Sequence, residues 1–202
     1  MSSLLWIKIC GLTTADAVES AIRAQVDAIG FVFAPSKRQV SAQRAAELSR
    51  DVPRSIARVA VMQHPTQAQL DEVLQTFQPH ILQIDIEDLA TLQIPQTLRI
   101  HPVIRAGRPE PAHLPARLLF EGPISGAGNT ADWSAASTLA RRSELILAGG
   151  LNPENVAEAV RVVNPFGVDV SSGVESAPGI KDPALVMRFV SAARESQDVL
   201  VV

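Results

Sequence analysis

Two residues of this chain could carry acid–base chemistry, and each closes a short apolar run. Cys10 ends the run Trp6–Cys10, and Glu121 ends the run Arg117–Glu121. A thiolate can remove a proton, and a carboxyl group that keeps its proton can act as a general acid. A lone cysteine is more often a small buried hydrophobe. Cys10 is therefore a candidate base only where it faces a polar, partly open site.

Two loops contain glycine next to the last two apolar runs, and their composition is typical of anion binding. Gly149 and Gly150 follow the seventh run, and Ser171, Ser172 and Gly173 follow the eighth. Glycine lets backbone N–H groups approach an anion closely because no Cβ intervenes. One Gly-Gly pair alone could be a tight turn. Two such loops on neighbouring runs favour a phosphate site.

Two further charged residues stand near the ends of apolar runs. Arg38 lies in the turn after the second run, where it is either a solvated residue or the cation that orients a carboxylate. On the residues alone, the solvated turn is favoured. Asp169 is flanked by Val168 and Val170, so we expect it to be partly buried and to need a partner.

These residues are positioned by eight short runs rich in Ile, Val, Leu and Phe. Most of the runs do not alternate with polar residues, which is typical of strands buried on both faces. The predicted strands are Trp6–Cys10, Ala28–Phe33, Ile56–Met62, His80–Ile84, Leu98–Ile104, Arg117–Glu121, Glu144–Ala148 and Phe166–Val170.

Amphipathic segments lie between the runs and predict helices. In one of them we expect Asn152 to be the N-cap and Pro153 the first helical residue. The predicted helices are Thr14–Ala24, Ser41–Arg50, Thr66–Phe77, Asn152–Val162 and Asp182–Arg194. Where a fifth helix belongs, Pro109, Pro111 and Pro115 predict a loop instead.

Repeated strand–helix units predict an α/β fold with a parallel sheet. Eight units in 202 residues are about the lower size limit of a closed (β/α)8 (TIM) barrel. An open doubly wound sheet is the rival architecture, but it uses fewer strands. No linker or change of composition divides the chain, so we expect one barrel domain over residues 1–202.

Composition excludes several classes of function. The net charge is −3, aromatic residues make up 4% of the chain and tyrosine is absent, which disfavours a nucleic-acid surface. We expect no membrane partner, because no stretch of about 18 apolar residues occurs. The single cysteine excludes an internal disulfide and disfavours a zinc cluster. The N-terminus does not resemble a signal peptide, so a cytoplasmic protein is expected.

Several segments of the sequence resemble the phosphoribosylanthranilate isomerase family. The resemblance runs from about residue 7 to 195 and is most specific at the two ends of the chain. The segments that carry it are Lys8–Thr13, Asp27–Phe33, Leu147–Val156, Gly167–Glu175 and Pro178–Asp182.

The resemblance implies a (β/α)8 barrel and the third step of tryptophan biosynthesis from chorismate. In that reaction the aminoaldose N-(5-phosphoribosyl)anthranilate becomes 1-(2-carboxyphenylamino)-1-deoxyribulose 5-phosphate by an Amadori rearrangement. A general acid opens the ribose ring to a Schiff base, and a general base removes the proton at C2′. The resemblance implies no cofactor and no metal. Family members occur as monomers and dimers, so a monomer or a homodimer is expected.

The resemblance also implies roles for individual residues. Cys10 matches the catalytic base, Arg38 the arginine that faces the anthranilate carboxylate, and Asp169 an aspartate near the sugar. The phosphate loops are matched by Gly149, Gly150, Ser171, Ser172 and Gly173.

The chain departs from the family pattern at three places. The family's acid is commonly an aspartate closing strand six, and Glu121 stands there, so we assign Glu121 as the acid. Asp132, the other carboxylate nearby, matches a helix-capping position. Asn129 replaces a lysine, and Asp85 replaces a histidine after strand four. Two alternatives follow, namely another phosphate-binding barrel isomerase or a non-catalytic barrel that kept its phosphate site.

Overall fold

A computed structural model describes residues 4–122 and 132–198, and it forms a closed barrel of eight parallel strands. Neighbouring strands pair in chain order, and β1 pairs with β8 to close the ring. The strands are β1 (Trp6–Cys10), β2 (Ala28–Val32), β3 (Ala57–Val61), β4 (Ile81–Asp85), β5 (Arg99–Arg105), β6 (Arg117–Glu121), β7 (Glu144–Leu147) and β8 (Gly167–Val170). The predicted (β/α)8 barrel is confirmed.

In the part of the chain that the structure describes, six α-helices pack outside the barrel. They are α1 (Ala15–Arg23), α2 (Ala42–Leu48), α3 (Gln67–Thr76), α4 (Trp133–Ala140), α5 (Val156–Val163) and α6 (Pro183–Asp198). Thr14 caps α1 by accepting a hydrogen bond from the N–H of Ala17, and Asp182 caps α6 in the same manner. The apolar core between strands and helices includes Ile7, Phe31 and Phe189.

Two units lack an α-helix. Residues 106–116, between β5 and β6, form no helix, as the prolines predict. After β4 the chain makes only a 3₁₀ helix, Ile86–Ala90, in a stretch where no helix was among those predicted. The Asp88 carboxylate accepts the N–H of His64, and its carbonyl accepts the hydroxyl of Thr91. The turn is thereby tied to the loop after β3.

Asn152 makes the hydrogen bonds expected of a cap, but the predicted helix start at Pro153 is wrong. The Asn152 side chain accepts the N–H groups of Glu154 and Asn155, and the Asn155 side chain accepts the N–H of Asn152. This reciprocal pair closes one capped turn. The regular helix α5 begins only after that turn, at Val156.

Alternate residues of each strand point into the barrel and fill it. The lower layers are apolar and include Trp6, Val59, Leu119 and Ile146. A short hairpin, β9 (Glu175–Ala177) and β10 (Ile180–Lys181), follows β8 and leads into α6. Among the described residues no helix is long and apolar enough to cross a bilayer.

Candidate active site

One cavity opens at the carboxyl ends of the strands, which is the catalytic face of this barrel type. It is lined by inward-facing residues at the strand ends and by the loops that follow. The polar residues in its lining include Cys10, Arg38, Asp85, Arg105, Glu121, Asp169, Ser171 and Ser172. Cys10 on β1 and Glu121 on β6 therefore face the same space.

Cys10 lies in a buried charged cluster rather than in an open one. Cys10 is 7% exposed, and the fully buried Lys8 stands two positions earlier on the same inward face of β1. Lys8 Nζ lies 2.8 Å from Asp169 Oδ2 on the neighbouring strand β8, and its ammonium also acts electrostatically on the Cys10 thiol. A Cβ at Gly30 would lie 2.9 Å from Lys8 Cε and 3.0 Å from Cys10 Sγ. The missing side chain of Gly30 thus makes room for the lysine.

The electrostatics of this cluster favour a protonated thiol at rest. Burial raises the pKa of the Cys10 thiol, and the ammonium groups of Lys8 and Lys181 only partly oppose it. Burial alone would lower the pKa of Lys8, but Asp169 and Cys10 raise it above its ordinary value. Lys8 therefore stays charged beside the sulfur. Asp169 Oδ1 is buried and accepts no hydrogen bond from the described residues.

Glu121 is joined to a second cation, Arg105 at the end of β5. Arg105 Nη1 lies 2.5 Å from Glu121 Oε1, and its Nη2 lies 2.6 Å from Asp85 Oδ1. All three side chains are nearly buried and line the cavity. The exposed His64 lies beyond them, with Nε2 3.6 Å from Asp85 Oδ2 and Nδ1 2.8 Å from Asp88 Oδ1. The hydrogen bond to Asp88 raises the pKa of His64.

Arg38 is held by a carboxylate of the chain itself. Its Nε and Nη2 lie 2.7 and 2.8 Å from the two oxygens of Glu175. Lys181 Nζ donates to Glu175 Oε1 at 2.7 Å and to the carbonyl of Ser171 at 2.9 Å. Burial alone would raise the pKa of Glu175, but hydrogen bonds from Arg38 and Lys181 hold it below its ordinary value. Arg38 is thus a fixed, largely buried cation and not a solvated turn residue.

The two glycine-containing loops, which follow β7 and β8, lie against each other at the rim of the cavity. Gly149 and Gly150 have φ of 88° and 66°, and their N–H groups donate to no residue in the described ranges. Gly173 does not line the cavity, because it packs on the other loop. A Cβ at Gly173 would lie 1.9 Å from the carbonyl oxygen of Leu151. Glycine is needed there for close loop contact rather than for direct contact with a ligand.

The predicted site residues, apart from Gly173, share this cavity. Asp132 does not join them, since it is exposed and caps α4 by accepting the N–H groups of Ser134 and Ala135. Asn129 falls outside the described residues. Sequence reasoning missed Lys8, Arg105 and Glu175. The available signal for Lys8 was its position two residues before Cys10 in an otherwise apolar strand, which puts both side chains on the same face.

Fold and site together define a (β/α)8 barrel enzyme, with a cavity at the carboxyl ends of the strands that is lined by ionisable side chains and by two glycine-containing loops. The family model described as N-(5'phosphoribosyl)anthranilate (PRA) isomerase matches residues 7–192. The chain belongs to this family.

Individual relatives match almost the whole chain. The N-(5'-phosphoribosyl)anthranilate isomerase of Streptococcus pneumoniae (strain Taiwan19F-14) is 38% identical over 194 residues, covering 93% of this chain and 95% of the relative. The crystal structure of TrpF from Jonesia denitrificans has a TM-score of 0.79 and 36% identity, covering 96% of this chain and 98% of that one. A structure of phosphoribosyl anthranilate isomerase in complex with reduced 1-(o-carboxyphenylamino)-1-deoxyribulose 5-phosphate has a TM-score of 0.76 and 28% identity, covering 95% and 100%.

Proposed function

We propose that this barrel isomerises N-(5'-phosphoribosyl)anthranilate, with Cys10 as the general base and Glu121 as the general acid. The observation that carries the proposal is their common cavity. The two residues stand on β1 and β6, three strands apart around the ring, with the glycine loops on the rim between and above them. A sugar held in that cavity would have one group on either side.

The phosphate end of the ligand fits the rim formed by the loops after β7 and β8. Consecutive backbone N–H groups in a left-handed conformation form a concave site for an anion. Gly149 and Gly150 supply such a pair, and Ser172 begins a 3₁₀ turn beside them. A phosphoryl group there would accept hydrogen bonds from these backbone N–H groups.

The carboxylate end fits Arg38. Glu175 occupies the Nε/Nη2 edge of the guanidinium. Nη1 has no hydrogen-bond partner in the part of the chain that the structure describes. A guanidinium can bind two carboxylates on two edges, so Arg38 can hold Glu175 and the anthranilate carboxylate together. A ligand with a second phosphate at this end would need another cation, which disfavours one form of the first alternative, a barrel isomerase that acts on a sugar with a phosphate at each end.

Glu121 can protonate the ring oxygen of the ribose. Arginine donates hydrogen bonds and does not accept them, so the oxygen Oε1 facing Arg105 must be an acceptor. The acidic proton is then carried on Oε2. Its transfer to the ring oxygen breaks the C1′–O bond and leaves an iminium at C1′, which withdraws electrons from C2′.

Cys10 can then remove the C2′ proton. The Cys10 thiol first releases its own proton to solvent, and the thiolate then takes the C2′ proton. The C–H electron pair forms the C1′=C2′ double bond, and the iminium nitrogen becomes neutral. Reprotonation at C1′ and loss of the enol proton give the ketone. Lys8 supports this step, since its ammonium beside the sulfur stabilises the thiolate when it forms. The unpartnered Oδ1 of Asp169 is available to accept a sugar hydroxyl.

The direct test follows the fluorescence of phosphoribosylanthranilate during turnover by the wild-type protein and by Cys10→Ser. We expect turnover by the wild type and a loss of at least about a hundredfold in the variant, the low end of the contribution of a positioned base. Absence of turnover by the folded wild type would support the non-catalytic alternative. Wild-type turnover in Cys10→Ser would remove Cys10 from the mechanism but leave the reaction assigned.

A further inference from the structure

Glu175 lies between the loop predicted to hold phosphate and Arg38, the residue proposed to bind the carboxylate of the ligand. It begins β9, directly after the loop predicted to hold phosphate, and its side chain is 5% exposed. It bonds both Arg38, from the loop after β2, and Lys181, from β10. No sequence argument assigned a role to either Glu175 or Lys181.

The contact with Arg38 fixes the plane of the guanidinium. Two nearly parallel N–H···O bonds of 2.7 and 2.8 Å leave the group little freedom to rotate. A Cβ at Gly11 would lie 2.6 Å from Arg38 Cδ, so the arginine stem also passes close over β1. The free edge of the guanidinium is therefore presented in one orientation.

Lys181 holds Glu175 in turn. Its side chain is fully buried, and Nζ reaches Glu175 Oε1, the Ser171 carbonyl and, at 3.3 Å, Ser171 Oγ. Ser171 Oγ also lies 3.0 Å from the carbonyl oxygen of Cys10. A continuous set of polar contacts thus runs from Arg38 through Glu175 and Lys181 to the loop after β8.

We propose that Glu175 is a positioning residue, which orients Arg38 for the carboxylate of the ligand. This inference rests on the proposed function, in which Arg38 receives the anthranilate carboxylate. Glu175 does not compete with the ligand, because it uses one edge of the guanidinium and leaves the other to the carboxylate. Removing its charge should weaken carboxylate recognition and leave the chemical step intact.

The test compares Glu175→Gln with the wild type, using anthranilate and inorganic phosphate as one-ended inhibitors. We expect the inhibition constant of anthranilate and the KM of phosphoribosylanthranilate to rise at least about tenfold, as for a lost charged hydrogen bond. The inhibition constant of phosphate and kcat should change by less than about threefold. Glu154→Gln, which removes the exposed pair with Arg188, is the matched control and should change none of them.

The double variant Arg38→Met/Glu175→Gln separates the possible outcomes. If Glu175 acts through Arg38, the double variant binds anthranilate no worse than Arg38→Met alone. Tighter anthranilate binding by Glu175→Gln would mean competition and overturn the proposal, as would equal weakening of phosphate and anthranilate. If Arg38→Met itself leaves anthranilate binding unchanged, the carboxylate assignment of the proposed function fails instead.

Glu175→Asp keeps the experiment decisive if the glutamine variant does not fold. The aspartate retains the charge beside Lys181 but is one methylene too short to span both nitrogens of Arg38. We expect the same selective loss of anthranilate binding. Wild-type anthranilate binding in folded Glu175→Asp would overturn the proposal.

Discussion

Lys8 Nζ and Asp169 Oδ2 form a 2.8 Å ion pair inside the barrel, and the sulfur of Cys10 lies beside the same ammonium. Lys8 and Cys10 are two positions apart on β1, so both face inward, while β8 supplies the aspartate from the neighbouring strand. The pair keeps a positive charge in a place where burial would otherwise remove it. A thiolate formed at Cys10 is therefore stabilised by the ammonium of Lys8.

This relationship predicts the pH dependence of Cys10 alkylation. The chain has one cysteine, so iodoacetamide incorporation reports on Cys10 alone. Because burial raises the pKa of the thiol, the alkylation rate should keep rising with pH beyond the range of an ordinary cysteine. The measurement is the rate of mass gain at a series of pH values.

The double variant Lys8→Met/Asp169→Asn tests the contribution of the ion pair. It removes both charges together, so neither a buried ammonium nor a buried carboxylate is left unpaired. Because Lys8 lowers the pKa of the Cys10 thiol more than Asp169 raises it, the alkylation midpoint should rise above that of the wild type. Equal midpoints in the wild type and the double variant would show that Lys8 does not stabilise the thiolate.

Much of this arrangement follows from the sequence. The carboxyl ends of the strands lie at one face of the barrel. The eight apolar runs were therefore enough to predict that Cys10 and Glu121 line one cavity. Arg105 could have been found by the same rule, because it closes β5 as Glu121 closes β6. The alternation of inward and outward residues inside each run also marks Lys8 as inward-facing, because it stands two positions before Cys10 on β1.

Other contacts could not be predicted from the sequence. Arg38 and Glu175 are 137 positions apart and meet only because a hairpin after β8 reaches the loop after β2. The start of α5 was placed too early, because the reciprocal hydrogen bonds of Asn152 and Asn155 close a separate turn and the helix begins only at Val156. Both depend on side-chain geometry that residue types alone do not fix.

Glu121 and Asp132 provide a matched pair of carboxylates. Glu121→Gln cannot donate an acidic proton, so we expect kcat to fall at least about a hundredfold. Asp132→Asn changes a cap on the exposed start of α4, which should cost about 1 kcal/mol or less and leave turnover within about twofold. Turnover assays and urea unfolding of both variants check this. The reverse result would assign the acid to Asp132.

Gly30→Ala tests the space beside Lys8. The new Cβ would lie about 3 Å from both Lys8 Cε and Cys10 Sγ, so one of them must move. We expect kcat to fall at least about tenfold. Overpacking should also lower the free energy of unfolding by about 1–3 kcal/mol. Gly107→Ala is the control, since it has open space but φ of 81° and should lose stability without losing turnover. Equal turnover in both variants would mean that the lysine tolerates displacement.

His101 predicts how stability falls in acid. The side chain is buried beside Trp6, with ring centroids 5.5 Å apart, and its Nδ1 accepts or donates no hydrogen bond within residues 4–122 and 132–198. Burial, with Arg117 and Lys8 nearby, lowers its pKa from 6.5 to about 3. The folded protein therefore holds this histidine neutral while the unfolded chain binds a proton below pH 6.5.

The contribution of neutral His101 to the free energy of unfolding is fully present above pH 6.5, and it is lost as the pH falls toward 3. At pH 5 the loss is about 2 kcal/mol, from a 1.36 kcal/mol cost per pH unit. Replacing His101 by Gln removes the titrating group, so the change in unfolding free energy between pH 7.5 and pH 5 should shrink by about that amount. Urea unfolding at both pH values measures it for each protein, and the other titrating groups cancel in the comparison. Parallel pH dependences in the two proteins would mean that His101 is already protonated, or solvated, in the folded state.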